Sequence, residues 1–213
     1  HYVPMAKTFH MHKARLETLV DGVFAIAMTI LVLEIKVPEL ADGRSSDALL
    51  SALGHHASVI GAYFFSFAML AVFWVWHHRL VEKIRLFDFP LLVCTLTFLA
   101  LVCFFFFFAA LLGRYPLNLA ALLVYVPLTG LIILLQTLFF KLAVQRQLLL
   151  ESVSADEVQA TQRRNLRGCA VLFIASIPTA LRVHVAWVAV CLALGLLFIW
   201  LSRAKAHSGK ASA

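Results

Sequence analysis

The sequence predicts an all-α integral membrane protein, and three observations carry that prediction. Hydrophobic residues make up 62% of the chain and charged residues 14%, with a mean hydropathy of +0.92, a composition no soluble globule of this length can place in a core. Apolar runs long enough to cross a bilayer recur along the chain. Lys and Arg gather in every second connection between those runs.

A hydrocarbon core about 30 Å thick needs about 20 helical residues at 1.5 Å each. That length selects six spans, 17–37, 50–76, 87–112, 117–142, 166–181 and 184–201, in one membrane domain covering 1–213. The first run follows Arg15 and precedes further spans, so it reads as a retained helix and not a removable signal. The second ends in "FAMLAVFWVWHHRL". The third and fourth are joined by a tight turn after Gly113, which predicts antiparallel neighbours. Residues 143–164 mix leucines with charges and carry a Ser154 to Glu157 capping pattern, the mark of a polar extension of the fourth helix followed by a new helix start. The fifth span is short and contains Pro178, which predicts tilt or a kink.

Loop charge sets the orientation. With both termini in the cytoplasm, only Lys36, Arg44, Arg114 and Arg182 fall outside, which leaves fourteen of the eighteen Lys and Arg inside. The same membrane-side role accounts for the basic net charge, and no basic domain outside the apolar segments suits nucleic acid. Cys94, Cys103, Cys169 and Cys191 lie in apolar runs without metal or redox spacing and read as buried packing thiols. His55/His56 and His77/His78 sit at opposite ends of the second span; adjacent histidines diverge by about 100°, so neither pair chelates, and no metal site is expected. Gly54, Ser58 and Gly61 form a small-residue face suited to close helix contact, within the subunit before between subunits. Phe104 to Phe108 read as lipid-facing and interhelical filler. HExxH, GxSxG and paired intramembrane aspartates do not occur, which argues against an enzyme.

The first helix carries the most specific signal. With Asp21 at zero and about 100° per residue, Ile26, Leu33 and Ile30 fall near 140°, 120° and 180°, one apolar stripe turned away from the carboxylate. An uncompensated ion in hydrocarbon costs several kcal/mol, so Asp21 should find donors on another helix of its own subunit. Trp74 shares a helix face with His77 at three residues and His78 at four, at the matching depth. The expectation is an interhelical cluster of Asp21, Trp74 and His77, with Arg15 a further member. Thr29 borders the stripe, where its hydroxyl meets either a passing ion or its own helix carbonyl. Glu34, near the outer mouth, either concentrates cations or is simply solvated.

Arg15, three residues, Leu19-Val20-Asp21 and "GVFAIAMTILVLEIKVP", then "FWVWHHRL" and "FDFPLLVCTLTFLALV", resemble the prokaryotic members of the transmembrane protein 175 family of potassium channels over about the first 110 residues. The family signature is an Arg, three residues, then Phe-Ser-Asp; here Leu19 and Val20 replace the Phe and Ser and remove a hydroxyl. The resemblance implies a homotetramer in the cell membrane, its central pore lined by the first helix and constricted by rings of Ile26, Ile30 and Leu33. Narrow apolar rings gate by dewetting, and without a "TVGYG" carbonyl filter the expected preference for potassium over sodium is modest. Permeant potassium and other monovalent cations, the lipid bilayer and further copies of the chain are then its partners, and no cofactor is expected. The alternative is a proton-coupled or cation secondary transporter working through Asp21 and His77, for which helix breaks at Pro127 and Pro178 would be the structural sign.

Overall fold

The computed structural model describes residues 12–40, 44–115 and 118–180, with side chains as far as 168. Among them are six α-helices, α1 Lys13–Ile30, α2 Ser46–His55, α3 Ala57–Val81, α4 Phe89–Arg114, α5 Leu119–Gln145 and α6 Ala155–Ala180, and a 3₁₀ turn at Leu31–Glu34 that continues α1. Four of these segments, α1 with its 3₁₀ turn, α3, α4 and α5, are long and apolar enough to cross a membrane. The predicted fifth span falls within the second half of α6, and the sixth, 184–201, lies outside the described residues.

The second span is not one helix. Ser45 caps α2 by accepting the Ala48 N–H at 3.3 Å, and the chain leaves regular helix at His56 before α3 begins. The His55/His56 and His77/His78 pairs therefore do not share a helix, contrary to expectation. A Cβ built on Gly54 or Gly61 meets nothing within 4 Å, so no neighbour in the described chain uses the small-residue face. The close approach is at Gly113, where a Cβ would come within 3.2 Å of Ala62 Cβ and 3.4 Å of Val59 Cα. α5 continues through Pro127 and α6 through Pro178.

The helices pack as successive neighbours, α3 on α4, α4 on α5 and α5 on α6, with α1 lying across α3 and α4. Their shared core is aromatic: Phe24, Phe73, Phe87, Phe98, Phe105, Phe139 and Phe140 are fully buried. Ring contacts run from Phe73 to Phe105 at 6.0 Å and on to Tyr125 at 5.2 Å. The phenylalanine run splits by face, Phe105 and Phe108 turning inward while Phe104 and Phe107 point out. Cys94 is buried, but Cys103 is exposed and so is not the packing thiol expected; Cys169 and Cys191 lie beyond the described side chains.

The end of the bundle where α1 begins is tied by polar contacts. Asp88 caps α4 through the Leu91 N–H at 3.0 Å and pairs with Arg146 at the end of α5. Two main-chain bonds, Arg85 N–H to Leu148 O at 2.8 Å and Leu150 N–H to Lys83 O at 3.0 Å, flank a bridge between Ile84 and Leu149. Ser154 caps α6 by accepting the Glu157 N–H at 3.2 Å, and the Glu157 side chain pairs with Lys83.

Candidate functional site

α1 has two faces of different fate. Leu16, Val20, Phe24 and Ala27, with Leu31 beyond, are buried against α3 and α4; at about 100° per residue they form a stripe on one side. Among the described residues, no helix covers the opposite side. Ile26 is 60% exposed, Ile30 37% and Leu33 67%. The three aliphatics singled out from spacing thus stand on the face that the described helices do not bury.

The 3₁₀ turn after Ile30 changes their register in a useful direction. In a 3₁₀ turn residues three apart eclipse one another and rise about 6 Å, so Leu33 sits over Ile30. Ile26 lies about 6 Å the other way, four residues along an α-helix. Three apolar levels therefore stack along one line. Thr29, beside them, donates its hydroxyl proton to the carbonyls of its own helix, Ala25 O and Ile26 O, both at 2.9 Å. That geometry leaves the hydroxyl oxygen as an acceptor toward the outside. Glu34 is half-buried at the end of the turn.

The polar anchor differs from the expected cluster in one member. Trp74 Nε1 donates to Asp21 Oδ1 at 2.8 Å, joining α3 to α1. His77 is not part of this link. It is 1% exposed, stacks on Phe98 at 4.5 Å and lies 5.0 Å from Phe139, and neither ring nitrogen has a hydrogen-bond partner among the described residues. The neighbour His78 takes the place expected for it, stacking on Trp74 at 5.8 Å and reaching Glu82 at 3.4 Å. The reason is angular: His77 lies mid-way across the buried face of α3 that carries Phe73, Leu70 and Leu80, and Trp74 and His78 lie at its edge.

Arg15 is also outside the cluster. It is exposed, its side chain makes no bond among the described residues, and at about 120° from Asp21 it shares the side of the apolar stripe. The α1 start is held instead by Lys13, which bonds the Glu82 carbonyl at 3.4 Å and pairs with Glu17 at 3.8 Å. A small cleft between α1 and α3 is lined by Leu16, Glu17, Val20, Asp21, His77, His78 and Val81. Val20 faces it with methyl groups where the family signature has a hydroxyl. Among the described residues no group of three or more His, Cys, Asp or Glu could hold a metal ion.

A family model described as the endosomal/lysosomal potassium channel TMEM175 matches residues 15–105. A potassium channel of Chamaesiphon minutus is 31% identical over 194 residues, which cover 89% of this chain and 95% of that one. The crystal structure of a lysosomal potassium-selective channel TMEM175 homolog from the same organism superposes with a TM-score of 0.75, covering 89% of this chain and 97% of that one at 31% identity. The bovine endosomal/lysosomal proton channel TMEM175 is 39% identical over 87 residues, 37% of this chain and 18% of its own length.

Proposed function

The chain belongs to the TMEM175 family of ion channels, and from that membership we propose that it is a potassium-permeable cation channel of the cell membrane. In this reading a homotetramer of six-span subunits, both termini cytoplasmic, surrounds a central pore lined by α1. Ile26, Ile30 and Leu33 from each copy make three apolar collars, the narrow passage that disfavours water and bare ions until it widens. Thr29 oxygens border the middle collar, and Glu34 draws cations to the outer mouth. Potassium is preferred over sodium because the larger ion loses its hydration more cheaply.

The observation that supports the reading is a stripe that no described helix covers, on a helix whose other face is buried against α3 and α4. The channel reading is favoured over a proton-coupled carrier, since the relatives are named as channels and the residues such a carrier would use, Asp21 and His77, share no hydrogen bond. Planar-bilayer recording of the reconstituted protein under opposed potassium and sodium gradients tests it. Potassium should carry more current than sodium, and Ile30→Asn should raise the current at rest by wetting the middle collar. Unchanged current in that variant, or transport that saturates with fixed stoichiometry, would overturn the proposal.

A further inference from the structure

At the end of the bundle where α1 begins, three cations on α5 and α6 have no counter-ion among the described residues. Lys141 on α5 and Arg163 and Arg167 on α6 are exposed, and the bond found for them is Arg163 Nη2 to the neutral Gln159 at 3.3 Å. The acids of this end are committed elsewhere. Glu17 pairs with Lys13, Asp88 with Arg146, Glu151 with Arg85 and Glu157 with Lys83, while Glu82 faces His78 and Asp21 holds Trp74. Asp156 is the remaining one, seven residues before Arg163 and so about 10 Å away along α6. Residues 1–11 and 169–213 contain no Asp or Glu to add.

Two of the three cations share a depth, and the third lies about one turn from them. Gln136 of α5 donates to Phe73 O at 3.0 Å, and Trp76, one turn further along α3, donates to Asn165 of α6 at 3.0 Å. Counting 1.5 Å per residue from these two bonds places Lys141 and Arg163 at about the same level, each about 7 Å beyond Phe73, with Arg167 about one turn nearer the membrane centre. On α5 the outward face leading to Lys141 is apolar, with Leu131, Leu134 and Leu138 at 43%, 55% and 49% exposure. On α6 Arg167 is the last charged residue before an uncharged run to Ala180. Long stems allow cations at such positions to reach from apolar surface toward the headgroup layer.

We infer that Lys141, Arg163 and Arg167 form a seat for the headgroup phosphate of an anionic phospholipid in that leaflet. Two guanidinium groups match phosphate oxygens bidentately and the ammonium adds a point charge; the lipid supplies the counter-charge that the chain lacks. The inference rests on the membrane-spanning reading above, but not on what the pore conducts.

Native mass spectrometry and thermal midpoints of the purified full chain test it, with added phosphatidylglycerol, phosphatidylcholine or inorganic phosphate. Phosphatidylglycerol should stay bound to the wild type and raise its midpoint more than phosphatidylcholine does. Neutralising one cation should weaken that retention about fivefold, and Lys141→Gln/Arg163→Gln/Arg167→Gln together about a hundredfold. The exchange Lys141→Arg/Arg163→Lys/Arg167→Lys should keep most of it, and serves with Arg167→Gln alone if the triple variant does not fold. Equal retention of both lipids, equal stabilisation by inorganic phosphate, or undiminished retention when the charge is removed would each overturn the seat. Potassium flux in vesicles of the same lipids reports separately on the channel, so loss of one finding leaves the other standing.

Discussion

Replacing His77 by Phe should make the protein more stable. A neutral imidazole brings one N–H donor and one bare nitrogen acceptor. Both are buried here without a hydrogen-bond partner among the described residues, between Phe98 at 4.5 Å and Phe139 at 5.0 Å. Each unsatisfied buried polar group costs about 1–3 kcal/mol relative to a paired one. A phenyl ring removes both groups and keeps the aromatic stack, at a cost of about 1 kcal/mol for the extra volume in a packed site. The net gain is then about 1–5 kcal/mol, or a rise of roughly 2–20 °C in the thermal midpoint. His77→Ala is the control: it removes the ring itself and should cost about 3–5 kcal/mol. Midpoints are read by intrinsic fluorescence in detergent, and potassium conductance of His77→Phe in bilayers should stay within about twofold of wild type. If Phe destabilises as much as Ala, the imidazole nitrogens are bonded in the native protein and the argument fails. If stability rises but conductance is lost, His77 acts in transport and the carrier reading returns.

The Trp74–Asp21 bond is open to a double-mutant cycle of Trp74→Phe and Asp21→Asn; because both side chains are partly exposed, the coupling should be about 1 kcal/mol, with more loss of the proposed tetramer on crosslinking than change in selectivity. A coupling near zero would show that the bond does not hold α1. Asp88→Ala removes a helix cap and strands Arg146, which is half exposed, so the expected loss is about 2 kcal/mol, and Asp88→Asn, which keeps a capping oxygen, should recover about half of it in the same unfolding assay. Gly168→Ala should lower the midpoint, because its Cβ would stand 2.9 Å from the Trp76 ring that Asn165 fixes; overpacking of about 1–3 kcal/mol exceeds the helix-propensity gain of about 1 kcal/mol, and Trp76→Phe should relieve the clash.

What could be read from the sequence was what depends on local apolarity. Lengths of uncharged residues located α1, α3, α4 and α5, and the Ser154 pattern found the start of α6. The break at His56 escaped because Ala, Leu and Gly keep the run apolar on both sides of it, although Ser45 with Asp47 in the first turn was a legible start signal. The predicted carboxyl ends of α3, α4 and α5 fall short of the helices, since charged residues such as Arg79 end a hydrophobic stretch without ending a helix. Choosing between His77 and His78 was beyond spacing, because both positions neighbour Trp74. The choice is made by Phe98 on α4 and Phe139 on α5, distant in sequence, which claim the ring facing the core. Arg15 was misplaced for a simpler reason: its angle on the wheel, shared with the stripe, was outweighed by its charge.

That an apolar helix carries Asp21 has a physical explanation in the two faces of α1. Within a bilayer, apolar side chains gain little by leaving lipid for another helix, so association relies on packing and on polar links. A helix that turns one whole side away from its own subunit has only half a surface for packing. In α1 that half is five side chains, Leu16, Val20, Phe24, Ala27 and Leu31. The polar links make up the difference, and they sit at the end where α1 begins: Lys13 on the Glu82 carbonyl and Asp21 on Trp74, two turns apart. The far end, where the helix tightens into its 3₁₀ turn at Leu31–Glu34, is held by the buried Leu31 and, among the described residues, by no polar link to α3 or α4. Ile30 and Leu33 belong to that part, and in the proposed tetramer a small rotation there would change the width between copies while the polar anchor holds. Widening of an apolar collar by a helix fixed at one end is the motion the proposed gate requires.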